Sequence, residues 1–182
     1  MVWFVTPEAG FEAVLSLAQA GDERAIGQLY RTYNPPLLRF LAGQAPAAKE
    51  DLAQDVWMSV ASSLASFDGD EGQFRAWLFT IARRRTIDHW RVVGRRPREV
   101  IGELLDLPQP EPPDQLAIQS AIAELTAGLT DEQTEVVLLR VVAGLTVEQV
   151  ASIIGKSPGA IRVMQHRALR RLATQISRVV TP

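Results

Sequence analysis

The chain has 182 residues, of which 47% are apolar and 22% are charged, and it contains no cysteine. This composition supplies enough apolar side chains for packed cores, and it excludes bulk disorder, disulfide bonds and thiolate metal sites. No stretch approaches the roughly 18 consecutive apolar residues that cross a bilayer, and the apolar start of the chain lacks the basic residues of a secretion signal. We therefore expect a cytoplasmic protein with no membrane contact of its own, built as one domain or two small ones.

The net charge of −2 conceals a very uneven distribution of charged residues. Seven arginines and one acid lie between residues 83 and 98, whereas nine acids and no basic residue lie between residues 99 and 135. From residue 136 onward, seven basic residues accompany only one acid, Glu148. Two basic blocks separated by an acidic one indicate two surfaces for an anionic partner, joined by a segment that nucleic acid would repel.

The N-terminal third of the chain shows apolar residues at helical spacing. A first helix is predicted over residues 11–20, where Gly21 ends it, and Asp22 is placed to cap a second helix. Pro35 and Pro36 are expected to interrupt or restart this second helix, because proline removes a backbone donor and crowds the preceding turn.

A third helix is predicted over residues 48–64. One side of it carries an apolar stripe, and beside the stripe lie three polar residues, Asp51, Gln54 and Asp55. This polar strip could dock on a partner, or it could only compensate the positive end of the helix dipole. The Asp- and Gly-rich residues 67–72 are predicted to form a loop.

A long fourth helix is predicted over residues 74–93, and it interleaves aromatic side chains such as Trp77 with arginines. Arginine binds phosphate, and an exposed aromatic ring stacks on an unpaired base. The alternative is that Trp77 and Ile81 belong to a core and that the arginines form a solvated face. The absence of lysine from this block favours planar, bidentate contacts. The basic side chains considered are Arg83, Arg84, Arg85, His89, Arg91 and Arg95.

The helices beyond residue 114 are predicted from start signals and apolar spacing. One helix is expected over residues 115–127, and another is expected to run to Val142 from a capping box formed by Thr130 and Gln133.

The most specific pattern is a helix-turn-helix over residues 147–164. Gly155 stands where the turn needs a positive φ angle, Ser157 caps the second helix, and Pro158 occupies its first turn. This second helix is expected to end near Leu172. Its exposed face would place cationic side chains in a DNA major groove; these are Arg162, His166, Arg167 and Arg170.

The fold class is therefore all-α, with two small helical domains. The N-terminal domain is placed at residues 10–95, and the C-terminal domain, which contains the helix-turn-helix, at residues 115–177. Between them, residues 96–114 contain five prolines and five acids. This composition predicts a flexible, acidic, proline-rich linker, because such proline density prevents a continuous helix.

Enzymatic chemistry finds little support in the sequence. His89 and His166 are the only histidines, and they lie in different predicted domains. A histidine metal pair and a Ser-His-Asp site are therefore not expected. The sequence also lacks a glycine-rich phosphate loop, so it predicts no catalytic residue, no metal and no cofactor.

Five ordered segments together resemble the extracytoplasmic-function sigma factors of bacterial RNA polymerase, which are small two-domain proteins. One helix-turn-helix discriminates poorly between regulator families, whereas five motifs in the right order with the right gaps are specific. The similarity covers about residues 11–173. The matching segments are residues 21–33, 50–57, 74–89, 129–133 and 145–172.

The resemblance implies a sigma factor that binds core RNA polymerase and directs promoter-specific initiation. Asp51, Gln54 and Asp55 would then dock on the clamp helices of the β′ subunit, with further contacts to the β subunit. The fourth helix and its preceding loop would melt and capture the promoter −10 element, and the linker would thread toward the polymerase active site. The family positions that read the −35 element are occupied by Arg162, Val163, His166 and Arg167, and Arg170 on the same exposed face is expected to join them. Many family members are held by an anti-sigma protein, so such a partner is expected.

Four residues depart from the family pattern. Arg84 stands where the family usually has asparagine, Val163 replaces a small polar residue, Met164 an arginine and Gln165 an apolar residue. Val163 could contact a thymine methyl group and so alter −35 specificity.

Two other classes of protein share part of this pattern. A stand-alone helix-turn-helix regulator leaves the arginine-aromatic helix unexplained. An anti-sigma or adaptor protein explains neither basic block. Within the sigma-factor hypothesis, the free chain is expected to bind duplex DNA weakly, because the acidic linker opposes both cationic surfaces.

Overall fold

The computed structural model describes residues 10–94 and 128–180, with side chains through residue 174. Within these ranges the regular structure is entirely helical. The seven α-helices are α1 (Phe11–Gln19), α2 (Glu23–Ala42), α3 (Lys49–Ser63), α4 (Glu71–Val93), α5 (Asp131–Val137), α6 (Val147–Ile154) and α7 (Pro158–Val180). The expected linker, the helix over residues 115–127 and Arg95 lie outside the described residues.

Helix α2 begins as predicted and then passes unbroken through both prolines. The Ala25 N–H donates to Asp22 Oδ1 at 2.8 Å, which confirms the cap. The expected interruption at Pro35 and Pro36 is wrong. Pro35 lies on the solvent side, where water can bond the carbonyls that the prolines leave without a donor. Burial of the following turn, including Leu37, keeps the helix in place.

Helix α4 begins at Glu71, three residues before the predicted start, so the predicted loop end is wrong. Asp70 and Gln73 form a capping box: the Gln73 N–H donates to Asp70 Oδ1 at 2.7 Å, and the Asp70 N–H donates to Gln73 Oε1 at 2.8 Å. Two of the unpaired donors at the helix start are thereby satisfied. The connection before α4 shortens to residues 67–70.

The described residues 10–94 and 128–180 are called the N-terminal and the C-terminal half below. In the C-terminal half, the structure confirms the predicted capping box of Thr130 and Gln133. The helical path reaches Val142 as expected, although its last turn, Leu138–Val142, is π-helical. Here the Ala143 N–H donates to the Leu138 carbonyl at 3.0 Å, a bond that spans five residues.

The helix-turn-helix forms as predicted from α6 and the start of α7. Gly155 has φ +77° at the turn, and the Ala160 N–H donates to Ser157 Oγ at 3.2 Å. Val150 and Ile161 are fully buried and join the two helices. The expected end near Leu172 is wrong, because α7 continues to Val180 and no glycine or proline stops it earlier.

Two glycines of this motif should respond oppositely to alanine. Gly155→Ala places a Cβ in the left-handed region and should destabilise the fold by about 1–2 kcal/mol, whereas Gly159→Ala lies in the first turn of α7 and should stabilise it by about 0.5–1 kcal/mol. Thermal denaturation measures both, since 1 kcal/mol moves the Tm by about 2–4 °C in a chain of this size. Equal shifts for the two variants would contradict the assigned turn.

The two halves share one buried core. Phe40, Phe74 and Phe79 are almost fully buried in the N-terminal half, and they belong to the same cluster as Val136 and Leu139 of the C-terminal half. The rings of Phe40 and Phe79 meet edge to face at 5.4 Å. Because the apolar cluster is continuous, the halves pack directly against each other. No helix in the described ranges combines the length and apolar character needed to cross a membrane.

Candidate nucleic-acid interface

The polar strip on α3 faces solvent. Asp51, Gln54 and Asp55 are exposed, while the opposite side of α3 is buried in the core. Met58 completes this face with 67% of its surface exposed. Sequence reasoning missed Met58, although its spacing of three and seven residues from the two aspartates was a visible signal.

The basic face of α4 is partly free and partly engaged. Arg84 is exposed, and Arg85 is exposed with its Nη2 donating to Ser59 Oγ at 2.7 Å. Arg91 pairs with Asp88 at 3.0 Å in an exposed contact, which contributes little to stability. His89 is half-buried, and its ring lies 4.9 Å from that of Trp90.

Arg83 is held by an ion pair to the C-terminal half. Its Nε lies 2.8 Å from Glu135 Oε1 on α5, and the two side chains are only 25% and 14% exposed. A partly buried ionic hydrogen bond of this kind contributes about 1.5–3 kcal/mol. Arg83 is therefore less accessible to DNA in this arrangement than its neighbours.

The aromatic residues at the start of α4 serve mainly as packing. Trp77 is half-buried and stacks on Phe67 of the preceding loop with ring centres 4.9 Å apart. Phe67 also meets Phe74 edge to face at 5.6 Å. Trp77 and Ile81 both pack against the core, which confirms that part of the alternative; the role of the arginines stays a prediction.

Hydrogen bonds from Gln19 of α1 anchor the start of the loop over residues 67–70. Gln19 Nε2 donates to the carbonyls of Leu64 and Phe67 at 3.0 and 2.6 Å. A Cβ on Gly69 would lie 2.9 Å from Gln73 Oε1 and 3.0 Å from the Phe67 ring, so a larger residue here would have to displace these side chains. These contacts hold the loop in one arrangement at the start of α4.

The outward face of α7 carries the side chains predicted for the major groove. Arg162, His166, Arg167 and Arg170 are exposed, and Val163 is 49% exposed among them. Arg162 pairs with Glu148 of α6 at 2.9 Å, with side-chain exposures of 61% and 64%. Such an exposed pair is weak, so Arg162 remains available to a phosphate or a base.

A second polar link joins the halves at the start of α4. Gln149 Nε2 of α6 donates to the Gly72 carbonyl at 3.0 Å. On the inner side of the same turn, the Tyr33 hydroxyl donates to Glu71 Oε1 at 3.2 Å. Burial, and then the Glu71 carboxylate, raise the pKa of Tyr33 well above its ordinary value, so the hydroxyl stays protonated and keeps this bond.

Two family models match the chain. Sigma-70 region 2 matches residues 29–96, which contain the polar strip and the arginines of α4. Sigma-70, region 4 matches residues 118–172, which contain the helix-turn-helix.

Among the described residues, no group of three or more histidine or carboxylate side chains is placed to hold a metal ion.

Individual relatives agree with the family models. The ECF RNA polymerase sigma factor ShbA of Streptomyces griseus is 35% identical over 175 residues, covering 88% of this chain and 92% of that protein. The ECF RNA polymerase sigma factor BldN of Streptomyces coelicolor is 34% identical over 86% of this chain, but the chain spans only 62% of BldN. The sigma factor RpoE of Bartonella quintana, solved with the anti-sigma factor NepR, superposes with a TM-score of 0.61 and 26% identity, covering 86% of this chain and 98% of RpoE.

Proposed function

Because this chain belongs to the ECF sigma factors, which direct RNA polymerase to promoters and are not enzymes, we propose how its surfaces divide that work. The observation that carries the proposal is the separation of one acidic face from two basic ones. The acidic face lies on α3, and the basic faces lie on α4 and α7. We also propose the domain boundaries at residues 10–95 and 115–177, with residues 96–114 as the linker.

The face of α3 is assigned to core polymerase. Asp51, Gln54 and Asp55 supply two negative charges and an amide for contacts with the β′ clamp helices. Met58 adds an exposed apolar side chain one turn beyond Asp55, at the end of this face. Methionine is among the residues enriched at protein interfaces. Further contacts with the β subunit are expected of the whole chain.

The face of α4 is assigned to the −10 element. Arg84, Arg85 and Arg91 are exposed and can bind phosphates of a melted strand, and the loop over residues 67–70, at the start of the same helix, can receive an unstacked base. Arg83 joins this surface only when its pairing with Glu135 is released. His89 and Arg95 complete the proposed set.

The face of α7 is assigned to the −35 element, where Arg162, Arg167 and Arg170 supply cationic contacts and His166 a hydrogen-bonding ring. The N-terminal turns of a recognition helix contact base edges, which places Val163 against the bases. An apolar side chain at this position fits a thymine methyl group.

This assignment is tested by replacing Val163 with serine. Wild type should prefer a −35 site that contains thymine over the same site with that base replaced. Val163→Ser should reduce this preference by about 1–3 kcal/mol, because the contact with the thymine methyl group is lost. Val141→Ser is the matched control, since Val141 is 65% exposed on the π-helical turn. The measurement is initiation by reconstituted polymerase on a library randomised at the −35 site. Identical base preferences for wild type and Val163→Ser would refute the assignment.

We further propose that a protein inhibitor binds this chain. The support is the likeness to RpoE, which was solved with the anti-sigma factor NepR. A factor that acts on the chromosome-bound polymerase is expected in the cytoplasm.

A further inference from the structure

Three arginines line the outer face of α2, which has no part in the surfaces assigned to polymerase, the −10 element or the −35 element. Arg24, Arg31 and Arg39 are all exposed, and they stand seven and eight residues apart in the sequence. Seven residues make about two helical turns, so the three side chains follow one side of α2 over about 22 Å. The buried side chains of α2, such as Leu37, lie on the opposite side. These three arginines are called the α2 arginine row below.

The described part of the chain does not balance the charges of the α2 arginine row. Acids pair with a helical arginine from three or four positions away, and those positions hold only alanine, glycine, glutamine, asparagine and proline. The one acid of α2, Glu23, adjoins Arg24 and so does not face it. None of the three arginines forms an ion pair within residues 10–94 and 128–174. The row therefore presents three unpaired positive charges to a partner.

The surface between these arginines is low. Arg39 Nε donates to the Pro35 carbonyl at 3.3 Å, and the Arg31 guanidinium lies over Gly27, where an added Cβ would come within 3.1 Å of Nη1. Neither contact neutralises a guanidinium. Because glycine and proline have no long side chain, a phosphate backbone can approach the helix between the arginines.

The chemistry of this face favours a phosphate backbone over a protein partner. Protein interfaces have apolar and aromatic side chains at their core, whereas DNA interfaces are more polar and much more positively charged. In α2, which is described in full, the exposed large apolar side chains are Ile26 and Tyr30. The Tyr30 ring lies 5.0 Å from that of Trp57 on α3, so it belongs to the α3 side of the helix and not to the row. Arginine also matches phosphate in two places through its planar guanidinium.

The α2 arginine row faces away from α4. The inner side of α2 packs on α4, where the rings of Tyr33 and Phe74 lie 5.0 Å apart and those of Phe40 and Phe79 lie 5.4 Å apart. DNA on the row is therefore a different segment from the strand assigned to α4. A length of 22 Å corresponds to about six base pairs of duplex.

We propose that the α2 arginine row binds the phosphate backbone of duplex promoter DNA while polymerase holds the chain on a promoter. Each arginine contacts a phosphate, so the row adds affinity and fixes position but confers no base preference. This role rests on the function of the chain as a sigma factor, but it does not depend on the faces assigned to the −10 and −35 elements.

The test uses the complete chain with core polymerase on one promoter at which wild type initiates. The variant replaces the whole row, with Arg24→Gln, Arg31→Gln and Arg39→Gln together. The control makes the same change in net charge at exposed positions outside α2, α4 and α7; it combines Ala13→Glu, Ser16→Glu and Ala47→Glu. Promoter affinity is measured as a function of salt concentration, and affinity for core enzyme is measured without DNA.

Loss of three phosphate contacts should make the slope of log affinity against log salt concentration less steep by about 2.7. Between about 50 and about 200 mM salt, the variant should therefore lose about 40-fold less affinity than wild type loses. Base preference and affinity for core enzyme should not change. The control should keep the wild-type slope.

A second measurement uses the absence of cysteine from the chain. Thr32→Cys places the only thiol at an exposed position next to Arg31. An iron chelate coupled to this thiol should cleave duplex DNA in the promoter complex, and wild type treated in the same way is the blank.

An unchanged salt slope, an equal change in the control, or the absence of cleavage would each overturn the proposal. Weaker binding of the variant to core enzyme without DNA would also overturn it, because the row would then face a protein. If wild type itself initiates at no promoter, the sigma-factor role fails and the proposal fails with it. If wild type initiates and the variant keeps its slope, only the role of the row fails.

Discussion

Reversing two charges on α3, with Asp51→Lys and Asp55→Lys in one variant, is expected to abolish promoter-specific transcription while leaving the fold intact. Both side chains are exposed, so their replacement disturbs no core contact. If they face basic groups of the polymerase clamp, each reversal converts attraction into repulsion, which costs several kcal/mol at an interface. The affinity for core enzyme should fall by at least about 100-fold, which corresponds to 2.7 kcal/mol.

The matched control reverses two other exposed acids, with Glu12→Lys and Glu23→Lys. These residues lie in the first turns of α1 and α2. The control therefore changes the net charge by the same amount, but at positions outside α3. Binding to core enzyme is measured by fluorescence anisotropy of labelled protein, and transcription by run-off assay. If both double variants lose affinity equally, total charge explains the effect and the α3 face is not the docking site.

Replacing Glu135 with glutamine is expected to increase the DNA affinity of the free chain. Glu135 holds Arg83 of α4 across the contact between the two halves, with both side chains mostly buried. The substitution removes the carboxylate charge, weakens the packed arrangement and releases Arg83. A protein whose binding-competent form is a minor fraction gains affinity as that fraction rises. Loss of 1–2 kcal/mol from this contact should raise affinity by about 5- to 30-fold.

The control for this variant is Glu132→Gln. Glu132 lies on the same helix and pairs with Lys156 at 3.0 Å within the C-terminal half, so the charge change is identical but α4 is untouched. DNA binding is followed by anisotropy at one salt concentration, and separation of the halves by small-angle X-ray scattering. The proposal is contradicted if both variants gain DNA affinity equally and the Glu135→Gln protein does not become larger in solution. The loss of one negative charge would then explain the gain in affinity.

The parts of the fold that sequence predicted well depend on local signals. Gly155, Ser157 and Pro158 act on the turn in which they stand, so they located the helix-turn-helix correctly. The capping box at Thr130 was found for the same reason. The equivalent box at Asp70 was missed because the surrounding Asp and Gly residues suggested a loop. The predicted interruption of α2 at Pro35 was wrong because tertiary packing overrides the local effect of proline when the next turn of the helix is buried.

The contacts between the halves were beyond prediction from one sequence. Arg83 and Glu135 are 52 positions apart, and no periodicity links them. The charge blocks indicated that residues 99–135 oppose nucleic acid, but they could not show that Glu135 reaches α4.

The most direct measurement is the mapping of RNA 5′ ends made by core polymerase on a library of bacterial promoter fragments. Core enzyme with this chain should begin RNA at one defined position downstream of a shared pair of sequence elements, and core enzyme alone should not. RNA ends that are the same with and without the chain would contradict the assignment of its acidic face to polymerase and of its basic faces to promoter DNA.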